Sequence, residues 1–200
     1  MDYESFLSME GKEAVKAAVD AFFLEVKQLF EDRGITQESL DLLGEELGGL
    51  GKVVYGVEGS EEEIAGLQGP SRVLRKDPDG MTLVQVRFTS PREPHALHEH
   101  RAWYVLRVIK GQEYYCEWAR LDDGSREGYA ELQQGERHLL GPGDVLTALA
   151  PVIHLHEDYQ EQTCDELMLL GENPGDKPFR RFDPEARTVF ESQPRNYDKL

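Results

Sequence analysis

A mainly β domain carrying an N-terminal helical layer is the fold class that this sequence predicts, and three observations predict it. Apolar residues recur at three- and four-residue spacing over about the first 68 positions, and at two-residue spacing after Gly69-Pro70. Beyond that change come many short apolar runs at even spacing, separated by turns of Gly, Asp and Pro, which is the pattern of a β sandwich or small barrel. A chain of 200 residues is one domain, or one domain with an extension, and is long enough to bury a core. The expected division is a helical extension over 1–68 packed on a barrel over 69–172, followed by a tail over 173–200.

The helical part begins with Val15, Ala18, Val19, Phe22, Phe23, Val26, Leu29 and Phe30, the stripe of an amphipathic helix from about Glu10 to Phe30 that Gly34 ends. Thr36 suits the N-cap of a second, shorter helix through Leu40, Leu43 and Leu47, with Gly48-Gly49 as its stop. Ser60 and Glu63 form a capping box ahead of Ile64 and Leu67. These stripes are read as faces packed on the chain's own core.

The strand-like part opens with Thr82 to Phe88, where Val84, Val86 and Phe88 share one face, after a turn at Asp77-Pro78-Asp79-Gly80. Further strands are expected at Trp103 to Ile109, Gln112 to Trp118, Tyr129 to Gln133, Arg137 to Leu140, Val145 to Leu149, Val152 to His156 and Glu166 to Leu170. The tail, rich in Pro, Arg and Asp, reads as a loosely structured wrap.

Composition removes several function classes. A net charge of -17 repels phosphate backbones and anionic lipid, so neither nucleic acid nor a membrane surface is an expected partner. No apolar run approaches the ~18 residues of a membrane span, and Met1-Asp2-Tyr3-Glu4 lacks the basic and apolar regions of a signal peptide, so a cytoplasmic protein is expected. Cys116 and Cys164 make no disulfide framework and no Cys-x-x-Cys. The histidines, by contrast, are concentrated between His95 and His156.

The chemistry lies in Pro94-His95-Ala96-Leu97-His98-Glu99-His100-Arg101-Ala102-Trp103-Tyr104. On an extended segment successive side chains point to opposite faces, so His98 and His100 share a face and can hold one ion while Glu99 points away. His95 is out of that register.

The spacing resembles the cupin superfamily, whose motifs are Gly-x5-His-x-His-x3/4-Glu-x6-Gly and Gly-x5-Pro-x-Gly-x2-His-x3-Asn. His98, His100 and Gly111 fit the first, and counting from Gly143 places His154 at the histidine of the second. Arg92, Tyr104, Leu149, Pro151 and Asp158 stand where the motifs have Gly, Glu, Pro, Gly and Asn. The resemblance implies a double-stranded β-helix, a jelly-roll barrel. With Tyr104 in place of the glutamate it implies the neutral three-histidine set of the thiol dioxygenases of cysteine dioxygenase type. The run from His98 to Tyr104 is similar to the His-Asp-His-x-x-Trp-Gly of the bacterial 3-mercaptopropionate dioxygenase relatives.

The resemblance further implies an Fe(II) enzyme that oxidises the sulfur of a small carboxylate-bearing thiol with O2, its metal held by His98, His100 and His154. His156, on the same strand face as His154, competes for the third place or supports it from behind. Ser71-Arg72-Val73-Leu74 resembles the family's Thr-Arg-x-Leu segment, which makes Arg72 the anchor for the substrate carboxylate, with Arg75 as fallback. Trp103 and His156 are further substrate-binding candidates. Tyr104 is expected beside the metal, either donating a hydrogen bond or packing. The family's Ser-x-His-x-Tyr is missing, since the corresponding stretch is Glu166 to Leu170, and this points to a changed substrate. Another cupin metalloenzyme acting on a non-thiol organic acid, or a non-catalytic cupin binding a small ligand, are the other readings. The sequence leaves the oligomeric state open.

Overall fold

The computed structural model describes residues 3, 5, 9, 11–56, 71–88, 97–160, 163–173, 176 and 178–193. The capping box at Ser60, the Gly69-Pro70 boundary and His95 lie outside them. Among the described residues no helix is long and apolar enough to cross a membrane.

Helix α1, Gly11–Arg33, buries Ala14, Ala18, Val19, Phe22, Phe23 and Val26 along one stripe. Gly34 closes it by donating its N–H to the Phe30 carbonyl at 2.9 Å. Thr36 caps the next helix, accepting the Ser39 N–H on its hydroxyl at 3.2 Å. That helix, α2, Gln37–Gly56, runs straight through the Gly48-Gly49 expected to stop it. Its glycines are where the helix comes closest to its neighbours: a Cβ at Gly44 would meet Val145 at 2.4 Å and one at Gly51 would meet Ile109 at 2.5 Å. Tight packing on the barrel outweighs the helix-propensity cost of about 1 kcal/mol per glycine.

The strands are β1 (Ser71–Lys76), β2 (Thr82–Phe88), β3 (Leu97–Glu99), β4 (Tyr104–Lys110), β5 (Glu113–Arg120), β6 (Leu132–Leu140), β7 (Val145–Ala148), β8 (Ile153–Asp158), β9 (Cys164–Leu170), β10 (Phe179–Asp183) and β11 (Thr188–Ser192). They form two antiparallel sheets, in the orders β1-β2-β9-β4-β7 and β11-β10-β3-β8-β5-β6. The inner eight strands, β2-β9-β4-β7 facing β3-β8-β5-β6, make the double-stranded β-helix or jelly roll, with β1 and the β10–β11 hairpin added at the edges.

Two further expectations are corrected. Among the described residues of the tail, β10 and β11 form a hairpin whose first strand pairs with β3, Arg181 lying opposite His98. The two strands expected on either side of Gly135 are one strand, β6, with a bulge against β5 between Cys116 and Trp118. Gly135 there marks a close approach rather than a turn, because a Cβ would sit 2.7 Å from the Glu117 carbonyl oxygen.

Among the described residues the core falls into three clusters: a small one of Leu97, Ala130, Ile153 and Phe182 on the six-stranded sheet, and two larger ones separated by the five-stranded sheet. Leu83, Val105, Leu167 and Leu169 face the helices and join Phe22, Phe23, Leu40, Leu47 and Leu50. Val84, Val86, Leu106, Val108, Met168 and Leu170 alternate with them and fill the barrel. With both faces covered, β9 is buried at all seven positions.

Candidate metal centre

Three imidazoles converge at one end of the barrel. His98 on β3 and His154 on β8 are direct cross-strand partners, and their rings lie 4.5 Å apart. His100, just past the end of β3, lies 5.1 Å from the His98 ring and 5.2 Å from that of His154. One ring nitrogen of each lies within 4.8 Å of the others. Period-two alternation brings His98 and His100 to the same face and sends Glu99 outward, where its carboxylate accepts a hydrogen bond from Arg180 of β10 at 3.1 Å. The strand carrying His98 is paired on both sides, which fixes its register.

Burial and hydrogen bonding fit this set to a metal ion. His154 is 1% exposed and His98 6%. His154 Nδ1 lies 2.9 Å from the Val152 carbonyl. A carbonyl only accepts, so Nδ1 carries the proton and Nε2 presents its lone pair to the cluster. Three imidazole donors suit a first-row divalent ion.

Tyr104 stands beside them, its ring 5.6 Å from His100 and 5.9 Å from His154. Its hydroxyl lies 3.1 Å from that of Tyr115, which donates to Glu117 at 3.1 Å. A phenol has one proton to give. With Tyr115 donating to Glu117, the proton in the first bond comes from Tyr104, so the chain runs Tyr104 to Tyr115 to Glu117 and the Tyr104 proton is turned away from the histidines. Burial pushes the Tyr104 hydroxyl up to about 12, with the Tyr115 hydrogen bond opposing and the charge of Glu117 adding to the rise. Burial also raises Tyr115. Both are therefore protonated at neutral pH.

His156 shares the strand face of His154 but belongs to the next layer inward. Its Nδ1 is 2.6 Å from Glu113 Oε1, its ring stacks on Phe88 at 5.6 Å, and Glu166 lies in the same buried group.

Arg72 and Trp103 are not brought to the histidines. Arg72 pairs with Gln85 on β2, whose neighbours Leu83 and Arg87 share its face toward the helices. Trp103 packs edge-on against Phe30 of α1 at 5.2 Å. Arg75 is engaged by Asp20 and Asp77 and lies over the Phe23 ring.

Two residues that the sequence did not single out stand at the centre's edge: Tyr115, whose ring lies 5.7 Å from His154, and Glu117, the cross-strand partner of His154. Their alternation on an extended segment was visible, but the pairing of β5 with β8 that gives it meaning was not.

No protein-family model and no curated protein matches the chain. Among solved structures it is similar to an oxalate oxidase, with 17% identity over 54% of this chain and 53% of that one and a TM-score of 0.38. The chain thus spans about half the length of that oxidase. It is similar to a DMSP lyase from Ruegeria pomeroyi, with 17% identity over 50% of this chain and 45% of that one and a TM-score of 0.36. A cupin-like protein from Thermotoga maritima gives 16% identity, 59% and 83% coverage and a TM-score of 0.39. These likenesses are distant. The chain's own strand order makes it a double-stranded β-helix with a three-histidine cluster at one end, His98 and His154 buried and His100 half-buried.

Proposed function

We propose that the chain is a cupin metalloenzyme, an Fe(II)-dependent dioxygenase that adds both atoms of O2 to the sulfur of a small thiol. The observation that carries this reading is the convergence of His98, His100 and His154 with Tyr104, rather than a carboxylate, at the fourth motif position. A bound Fe(II) would supply the Lewis acidity that keeps a thiol ionised and the electrons through which O2 reacts with it. His98, His100 and His154 would hold the ion as three neutral donors and add no negative charge, so an anionic substrate group would be favoured beside them. The net change is R–S⁻ + O2 → R–SO2⁻, with the thiol proton released first.

The protein's own groups hold the geometry. The Val152 carbonyl fixes the His154 tautomer, and β10 and β8 clamp the strand of His98. The rings of Tyr104 and Tyr115 form a wall against His100 and His154. With Arg72 on the helix-facing side of the sheet, the expected carboxylate anchor lacks support, as does the family's substrate, already weakened by the missing Ser-x-His-x-Tyr.

The test is anaerobic reconstitution with Fe(II), elemental analysis, and O2-electrode assays with cysteine, 3-mercaptopropionate and cysteamine. One iron per chain with thiol-dependent O2 uptake is the expected result. Uptake with a non-thiol acid alone would move the protein to a different cupin reaction.

A further inference from the structure

The register of the six-stranded sheet puts Phe190, Arg181, His98 and His154 in one row across β11, β10, β3 and β8, each directly opposite the next. Directly paired residues share a face, so Phe190 and Arg181 stand on the side of the sheet that carries the histidine cluster. The residues between them alternate accordingly. Arg180 meets Glu99 on the other side, and Phe182 packs there with Leu97 and Ile153. With strands about 4.8 Å apart, Arg181 lies one strand from His98 and Phe190 two.

Arg181 differs from the arginines around it. Arg180 is held by Glu99, and Arg101 by Glu191. The half-buried Arg181 has no carboxylate partner among the described residues, and its Nε is buried without a hydrogen-bond partner. In a chain with 39 acidic residues against 22 basic ones, a guanidinium beside the candidate metal centre has an N–H to give and no acid to take it. Its central carbon lies 5.2 Å from the centre of the Phe179 ring, and that ring stands 5.9 Å from His98. Phe179 thus steadies the guanidinium on the side of the cluster. Phe190, beyond Arg181 in the row, is 52% exposed.

We infer that Arg181 anchors an anionic substrate group and that Phe190 seats its apolar part, so that the class handled at the three-histidine centre is an organic acid with an apolar substituent, an arylalkanoic acid in its best-fitting form. The inference rests on the proposed role of His98, His100 and His154 as a catalytic centre, not on which atom of the acid is oxidised. A carboxylate takes two parallel hydrogen bonds from Nε and a terminal nitrogen of one guanidinium, which fills the buried donor that the protein leaves open. The order along the row then turns the reactive end of the acid toward His98 and its substituent toward Phe190. An ammonium in the same place would meet like charge at Arg181, and a short acid would leave Phe190 uncovered.

The experiment uses the full chain loaded with Fe(II), under anaerobic conditions at pH 7. Calorimetry compares 3-phenylpropionate, propionate and 3-phenylpropylamine, none of which has sulfur to oxidise. The expected result is that 3-phenylpropionate binds about tenfold or more tightly than propionate, and that the amine does not bind. Arg181→Gln weakens 3-phenylpropionate about tenfold or more with iron content unchanged, and Arg181→Lys, which keeps the charge without the fork, recovers part of that loss. Phe190→Ala, at an exposed position, reads the site independently: it brings 3-phenylpropionate down toward propionate and leaves propionate as it was. Equal binding of acid and amine, no binding of either acid, or full affinity for 3-phenylpropionate in folded, iron-loaded Arg181→Gln or Phe190→Ala overturns the inference. Acid binding that is lost in Arg181→Gln, with no thiol consumed by the wild type, keeps the inference and removes the thiol reading. Thiol-dependent O2 uptake with no dependence of acid binding on Arg181 does the reverse.

Discussion

Single side chains at the metal centre differ in what they can lose. Replacing His98, His100 or His154 by Ala removes one of three imidazole donors and is expected to weaken metal binding by at least about 100-fold, read by elemental analysis after dialysis. His156→Ala is expected to retain metal, because its Nδ1 is committed to Glu113 and its ring lies in the next layer. Loss of metal in His156→Ala alone would displace His154 from the centre. Tyr104→Phe keeps the ring against His100 and His154 and removes one hydrogen bond to Tyr115, so unchanged metal content with a stability loss of about 0.5–1.5 kcal/mol in urea unfolding is expected. Away from the site, Asp77 is 3% exposed and its carboxyl is held below the usual range, chiefly by its hydrogen bond with Lys27 and then by Arg75, against burial. A carboxyl with a depressed folded-state pKa contributes stability above its ordinary value, near 4, and loses it as the pH falls through the folded one. Asp77→Asn is therefore expected to lower the urea midpoint at pH 7, with the gap between wild type and variant narrowing as the pH falls below about 4. At this scale much of the site was legible: motif spacing picks out the three histidines that meet. Trp103 shows the limit. Adjacent strand residues face opposite ways, so a Tyr104 turned into the barrel sends Trp103 out to the helices, and a site holding both side chains goes against that alternation.

Elements were legible where their signal is local. The stripe of α1, the Thr36 cap and the alternation of β2 and β4 all lie within a few residues of sequence. What escaped depends on contacts between distant segments. The glycines of α2 read as stops because nothing near them in sequence announces Val145 or Ile109. The tail read as loose because the partner of β10, a three-residue strand, lies some 80 positions earlier, the separation of Arg180 from Glu99 being 81. The turn between β4 and β5 gives a test of an element. Gly111 has φ +78°, and a Cβ there would fall 1.9 Å from the Thr163 carbonyl oxygen. Backbone on the far side cannot yield as a side chain can, so Gly111→Ala is expected to destabilise by roughly 2–4 kcal/mol, measured by denaturant midpoint. A change below about 0.5 kcal/mol would mean that the β4–β5 and β8–β9 turns are further apart.

For the whole molecule, the helical layer and the barrel share one sheet, and neither buries its apolar face without the other. Phe22 sits fully buried in that seam, and Phe22→Ala is expected to cost about 3–5 kcal/mol, with barrel and helices unfolding in one transition by far-UV and near-UV signals. The excess of 39 acidic over 22 basic residues stores self-repulsion in the compact state. Raising NaCl from 10 to 150 mM is therefore expected to raise the melting temperature by about 2–4 °C in a scanning experiment. The complete burial of β9 has its own outcome in time. A strand flanked by β2 and β4, with helices on one side and barrel interior on the other, gives up its amide protons to heavy water only when the entire chain opens. The amides from Asp165 to Leu169 thus report the global unfolding free energy, while those of the edge strand β11 exchange through smaller openings and wash out first.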